Sequence, residues 1–125
     1  MPNRNYIRPV IIPPGPSIAY IELTQGQFTR IDSDMAKELG QWSWYAHWEP
    51  DCRSFYAWRK GLKDGKRITV SMQQQILGLS GAAITGDHLD HNTLNNMKTN
   101  LRAATWSQQN SNKKLDRRYV RDLYT

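Results

Sequence analysis

Gly86-Asp87-His88-Leu89-Asp90-His91-Asn92-Thr93-Leu94-Asn95-Asn96 is the stretch at which the texture of this 125-residue chain changes. It is dense in polar side chains and follows neither a helical nor a strand period. It reads as a surface loop, and loops held by a scaffold are where function concentrates. An acid, Asp87, directly precedes His88, and asparagines follow in quantity. Neighbouring side chains of an extended segment point to opposite faces. Bringing Asp87 and His88 around one group therefore requires a bend or twist. Of the other histidines, His91 lies in the same loop, and His47 sits in an aromatic segment as a bystander.

Upstream, the pattern is that of short strands and turns. Residues 1–16 hold five of the six prolines, including Pro13-Pro14-Gly15-Pro16, and read as an extended or mobile arm. Ser17–Leu23 is rich in strand-forming residues, and Thr24-Gln25-Gly26-Gln27 is a turn before a strand at Phe28–Ile31. Asp32 or Ser33 can cap a helix through Leu39, stopped by Gly40. Trp42–Trp48 and Arg53–Lys60 are aromatic strands around a turn at Glu49-Pro50-Asp51-Cys52. Asp64-Gly65 signals a second hairpin leading to Arg67–Met72. Gln73–Leu79 reads as a short helix, and Thr105 or Ser107 can cap a last one through Asn112. The aromatic side chains could be stacking platforms for bases or the core of a small sheet. Alternation along Trp42–Trp48 favours core.

The length is one domain's worth. Seventeen Lys and Arg against eleven Asp and Glu give a net charge of +6. The excess is graded: residues 1–50 carry four basic and five acidic side chains, residues 51–100 seven and four, and residues 101–125 six and two. A neutral first part followed by a basic second part suggests a folded support leading into a surface for an anionic partner, nucleic acid ahead of a membrane surface. No apolar run approaches the roughly 20 residues of a membrane-spanning helix, and the start MPNRNYIRPV lacks the pattern of a secretory signal. Cys52 is the only cysteine, so neither an internal disulfide nor a four-cysteine zinc cluster can form. A cytoplasmic protein is expected.

There is no phosphate-binding Gly-Lys-Ser loop and no Ser/His/Asp signature. Metal-assisted phosphodiester cleavage needs a base for water, a hard divalent cation on the phosphate and oxygen ligands for that cation. Neutral imidazole suits the first role near pH 7. Carboxylate and amide oxygens suit the last.

Asp87-His88-Leu89-Asp90, Leu94-Asn95-Asn96, Asn100-Leu101-Arg102 and Thr105-Trp106-Ser107-Gln108-Gln109-Asn110-Ser111-Asn112 together resemble the HNH endonucleases, in the branch of bacteriophages and group I introns that includes homing endonucleases. Upstream, Leu23-Thr24-Gln25-Gly26, Ile31-Asp32-Ser33-Asp34, Trp44-Tyr45-Ala46, Tyr56-Ala57-Trp58-Arg59 and Ile76-Leu77-Gly78-Leu79 look like that branch in its order. The likeness covers roughly residues 20–114.

The resemblance implies an α+β domain over residues 17–125. An N-terminal antiparallel sheet with short helices would support a C-terminal ββα-metal unit at about residues 84–114, followed by a basic tail, residues 115–125. It implies His88 as the general base, Asp87 as a metal ligand, and Asn100 as the asparagine that braces the loop and orients the histidine. The last ligand position aligns with Gln109, with Asn110 directly after it. Gln retains an amide oxygen but is one methylene longer than the family's usual residue. Gln73-Gln74 stands where the family commonly has His-Arg. The cofactor implied is one divalent ion, Mg²⁺ with Mn²⁺ as a substitute. The partner implied is DNA, double-stranded, in a bacterial or phage-infected cell. Arg59, Lys60, Arg67, Arg102, Lys113, Lys114, Arg117, Arg118 and Arg121 are the expected DNA contacts. The rival reading is a DNA-binding module without catalysis. A weaker one is an RNA-binding protein with an aromatic platform.

Overall fold

The computed structural model describes residues 7–15, 17–79 and 84–105. Three small antiparallel sheets make the architecture. β1 (Val10–Ile11), β2 (Ile18–Glu22) and β3 (Phe28–Asp32) form the first, in that spatial order. Ala19 lies opposite Ile31, and Ile21 opposite Thr29. Two-residue alternation therefore puts all four on one face, where none is more than 2% exposed.

A 3₁₀ turn at Ser33–Met35 and one α-turn, α1 (Ala36–Leu39), fold over this sheet. They bring Trp44 into the centre of the core beside Leu39, Met72 and Ile31. The buried Trp44 indole donates to the Leu39 carbonyl at 2.7 Å. Arg8, also buried, donates to the Trp44 carbonyl at 3.1 Å.

The second sheet is β4 (Tyr45–Glu49), β5 (Ser54–Lys63) and β6 (Lys66–Ser71). Ala46 and Ala57 face each other and turn inward against the core. α2 (Met72–Leu77) follows β6 directly. The third sheet is a two-stranded hairpin, β7 (Ile84–His88) with β8 (Leu101–Thr105). Its connecting loop runs back to the first sheet. The Arg30 amide donates to the Leu94 carbonyl at 2.8 Å, and the Asn96 amide to the Arg30 carbonyl at 2.7 Å. The open edge of β3 is thus partly paired by a piece of loop.

This corrects the α+β expectation with its ββα-metal unit. Strand accounts for 46% of the described residues. The described α-helices are four and six residues long, one turn and under two. Gly40 and Gly78 stop them early, and the β-branched and aromatic residues between go into sheets. The helix expected after Thr105 lies outside the described residues, and Thr105 itself ends β8.

The aromatic expectation is corrected in part. Trp44 is fully buried, but Trp48 is 45% exposed, and His47 and Trp58 stack on each other at 3.5 Å between centroids, both on the other face of the second sheet from Ala46 and Ala57. No helix among the described residues is long and apolar enough to cross a membrane.

Replacing Trp44 with Phe keeps most of the apolar volume and removes the shorter of two hydrogen bonds to the Leu39 carbonyl, which still accepts the Trp42 amide at 3.4 Å. Trp44→Phe is expected to cost about 0.5–1.5 kcal/mol from that bond, read as a lower urea midpoint at unchanged slope.

Candidate active site

β7 presents Asp87 and His88 from adjacent positions, and both are buried. Gly86 is what lets α2 pack against this strand. A Cβ there would lie 2.8 Å from Gln73 Cγ and 3.2 Å from Leu77 Cδ1, closer than a side chain tolerates. The hairpin register sets the two functional residues apart. Asp87 lies opposite Arg102, and His88 opposite Leu101. They belong to opposite faces of the ribbon.

On one face, His88 Nε2 lies 2.8 Å from Asn96 Oδ1. Asn96 is wholly buried and its Nδ2 donates to Thr29 Oγ1 at 2.9 Å. The Thr29 hydroxyl donates to the Leu94 carbonyl at 2.9 Å. A hydroxyl has one proton. With that proton on Leu94, Thr29 accepts from Asn96, so the amide oxygen of Asn96 must face the imidazole. Nε2 then carries the ring proton, and Nδ1 carries the basic lone pair. The tautomer is assigned by this network of hydrogen bonds. The Tyr56 ring meets the imidazole edge-on, with centroids 6.0 Å apart. Burial pushes the His88 pKa below its ordinary value, only partly offset by the Asn96 hydrogen bond and the carboxylates of Asp87 and Asp90. The ring is therefore neutral at pH 7.

The loop is braced from Asn100. Its Nδ2 donates to Asp90 Oδ1 and to the Asn95 carbonyl, both at 2.8 Å, and its Oδ1 accepts the Asp90 amide at 3.0 Å. Asp90 also takes the Asn92 amide at 2.8 Å and Asn95 Nδ2 at 2.9 Å. Although burial opposes it, these hydrogen bonds hold the Asp90 carboxyl below its usual range. Thr93 Oγ1 ties the loop to the Phe55 carbonyl. Asn100 thus holds the loop, while the side chain that touches His88 is Asn96. Sequence reasoning had noted Leu94-Asn95-Asn96 without giving Asn96 a role. Its complete burial beside an imidazole is a tertiary fact with no local signature.

On the other face, Asp87 Oδ2 meets Arg102 Nε and Nη2, each at 3.3 Å. Arg102, expected to reach DNA, instead partners the expected metal ligand. Burial, the Cys52 thiol and the Glu49 and Asp87 carboxylates push the Tyr56 phenol far up, so it stays protonated. Gln73, where the family commonly has His, is buried, and its Oε1 has no hydrogen-bond partner among the described residues.

Arg59 is partly buried and has partners within the chain. Its guanidinium lies 4.3 Å from the Trp42 ring centroid, and its Nε donates to Gln75 Oε1 at 2.9 Å. Lys60 and Arg67 are exposed. Gln109, Asn110, Lys113, Lys114, Arg117, Arg118 and Arg121 lie outside the described residues.

A hard cation fits the donor set in kind. Asp87 offers a carboxylate, and the buried amide oxygen of Gln73 lacks a partner among the described residues, but α2 packs on the Gly86 face of β7, opposite Asp87, so the two do not converge. The Arg102 guanidinium competes with a cation for Asp87. No group of three His, Cys, Asp or Glu side chains among the described residues is placed to hold a metal. Comparison with known proteins adds no relative: no family model, no curated protein and no solved structure matches the chain.

The neutral Asn96 contact can be tested without any reaction. In EDTA, His88 should titrate below the ordinary imidazole value of about 6.5. Asn96→Asp puts an anion against the ring, and should move that midpoint upward by NMR titration. An unchanged midpoint would remove the Asn96 contact from the site.

Proposed function

We propose that this chain is a metal-dependent endonuclease of the HNH kind in its chemistry, hydrolysing DNA phosphodiester bonds and leaving 5′-phosphate and 3′-hydroxyl ends. The observation that carries the reading is His88: buried, kept neutral, and pinned through Nε2 so that Nδ1 holds the lone pair. A general base must be unprotonated at working pH and fixed within reach of the proton that it takes. Two carboxylates near the ring, Asp87 and Asp90, favour the imidazolium once the proton has arrived.

His88 Nδ1 would accept the proton of the attacking water. Asn96 and Thr29 would keep the ring from turning, and Asn100 would keep the loop from moving. Asp87, with Gln109 and Asn110 from outside the described residues, would hold Mg²⁺, with Mn²⁺ as substitute. When bound, such an ion supplies charge stabilisation at the scissile phosphate and the leaving 3′ oxygen. Arg102 would release Asp87 for that purpose and turn toward the DNA. A bacterial or phage-infected cytoplasm is the corresponding setting.

Two observations favour the rival, a DNA-binding module without catalysis: the Asp87–Arg102 pair already satisfies much of the carboxylate that a metal would need, and Asp87 and His88 lie on opposite faces of the ribbon.

Supercoiled plasmid separates the two. Incubation with Mg²⁺ should give relaxed or linear product that EDTA abolishes. His88→Ala should stay folded, bind DNA with near-normal affinity and cleave at least about a hundredfold more slowly. Full activity in that variant ends the mechanism. A mobility shift with no cleavage in Mg²⁺ or Mn²⁺ leaves the binding module.

A further inference from the structure

Among the described residues, the outer half of the β5–β6 hairpin has no third strand. β4 pairs with β5 only as far as Tyr45 opposite Trp58. Beyond that point, residues 59–63 pair with β6 alone, down to Lys63 opposite Lys66. Asp64 and Gly65 close the tip with φ of 52° and 76°, the positive-φ pair of a tight hairpin turn. A two-stranded ribbon is only marginally stable by itself, and this one keeps its most exposed apolar side chain, Leu62, at 72% exposure. Lys60, Lys63, Lys66 and Arg67 are all exposed, against the single acid Asp64.

Alternation decides which way the ribbon faces. Tyr56, Trp58, Lys60 and Leu62 share one face of β5, and Thr69 and Arg67 lie opposite Lys60 and Leu62 on that same face. Tyr56 on this face reaches the His88 ring. Lys60 Nζ is held over the face, 5.6 Å from the Tyr45 ring centroid and 3.4 Å from Thr69 Oγ1. The ribbon thus extends outward from the candidate active site with its basic, exposed side turned the same way.

We propose that this ribbon enters the major groove of duplex DNA and reads sequence at a distance from the bond that His88 addresses. The proposal rests on the DNA reading above. A two-stranded β-ribbon fits the major groove, where Lys and Arg reach guanine O6 and N7 and an apolar side chain meets the thymine methyl. Lys60, Arg67 and Leu62 supply those chemistries from one face, and Lys63 and Lys66 at the tip meet phosphates. At about 3.3 Å per residue, Lys60 and Leu62, with Arg67 opposite Leu62, lie roughly 13 and 20 Å along the strand from Tyr56. With base pairs about 3.4 Å apart, the bases read lie roughly four to six base pairs from the phosphate at His88.

The test uses the full chain and duplexes selected from a random-sequence library by binding in EDTA. Methylation of guanine N7 in the selected duplexes should block binding at positions in a cluster of a few base pairs. Lys60→Ala/Arg67→Ala should bind the selected duplexes at least about tenfold more weakly and relax their sequence preference. Where Mg²⁺ allows cutting, the cut should map roughly four to six base pairs from the methyl-sensitive cluster. Unaltered affinity in the double variant, indifference to N7 methylation, or no duplex binding at all overturns the ribbon. Wild-type binding with these signatures but no cutting removes the nuclease reading and leaves the ribbon standing. Cutting by a double variant of unaltered affinity does the reverse.

Discussion

The hydrogen-bond chain from the Leu94 carbonyl through Thr29 and Asn96 to His88 is the constraint on which the rest of the site depends. Thr29 and Asn96 are both wholly inaccessible to water. A buried amide or hydroxyl left without a partner costs about 1–3 kcal/mol, so no member can move alone without stranding its neighbour. The chain joins β3, the loop and β7, three segments far apart in sequence. The backbone bonds of Leu94 and Asn96 to Arg30 fasten the same loop to the same strand edge. What would otherwise be a long polar connection becomes an extension of the first sheet.

Chemistry follows from this rigidity. An imidazole free to turn divides its proton between two nitrogens. One held at Nε2 by an acceptor with no alternative presents a defined lone pair at Nδ1. Burial then keeps that lone pair unprotonated at neutral pH. The opposite face of the hairpin carries a different arrangement, in which the carboxylate of Asp87 is paired with Arg102. The hairpin thus separates a neutral base from an ion pair by the thickness of one strand. The bend once expected to bring Asp87 and His88 together is not what forms. Their connection runs through the strand backbone and past Tyr56, which touches the His88 ring and feels the Asp87 charge.

Much of the sheet structure was legible because alternation and turn chemistry are local. The Asp64-Gly65 turn, the strands flanking it and the strand at Phe28 follow from propensity and period. Period and propensity did not mark β7 and β8 as strands. Gly86 sits there to admit α2, and Asp87 and Arg102 satisfy each other across the ribbon, so neither position shows the hydrophobic alternation that marks a strand. The α+β expectation failed for a related reason: caps and stops were visible around residues 32–40, but they enclose a single turn of α-helix. In the site, Asp87 and His88 stood out by residue type, and Asn100 only through the resemblance. Asn96 did not, since nothing local distinguishes it from Asn92 or Asn95. Arg59 and Arg102 show what charge counting leaves out: their guanidiniums meet Trp42 and Asp87, while Arg102 stays 48% exposed.

The central claim is that Asn96 fixes the tautomer of His88, and the nitrogen chemical shifts of that ring report it directly. A two-dimensional ¹⁵N–¹H spectrum of histidine-labelled protein at pH 7 in EDTA, with His88 assigned by substitution, shows which nitrogen is protonated. The expected result is a protonated Nε2 and an unprotonated Nδ1, lost or mixed in Asn96→Leu. A ring protonated at Nδ1, or a doubly protonated imidazolium at pH 7, would contradict the account.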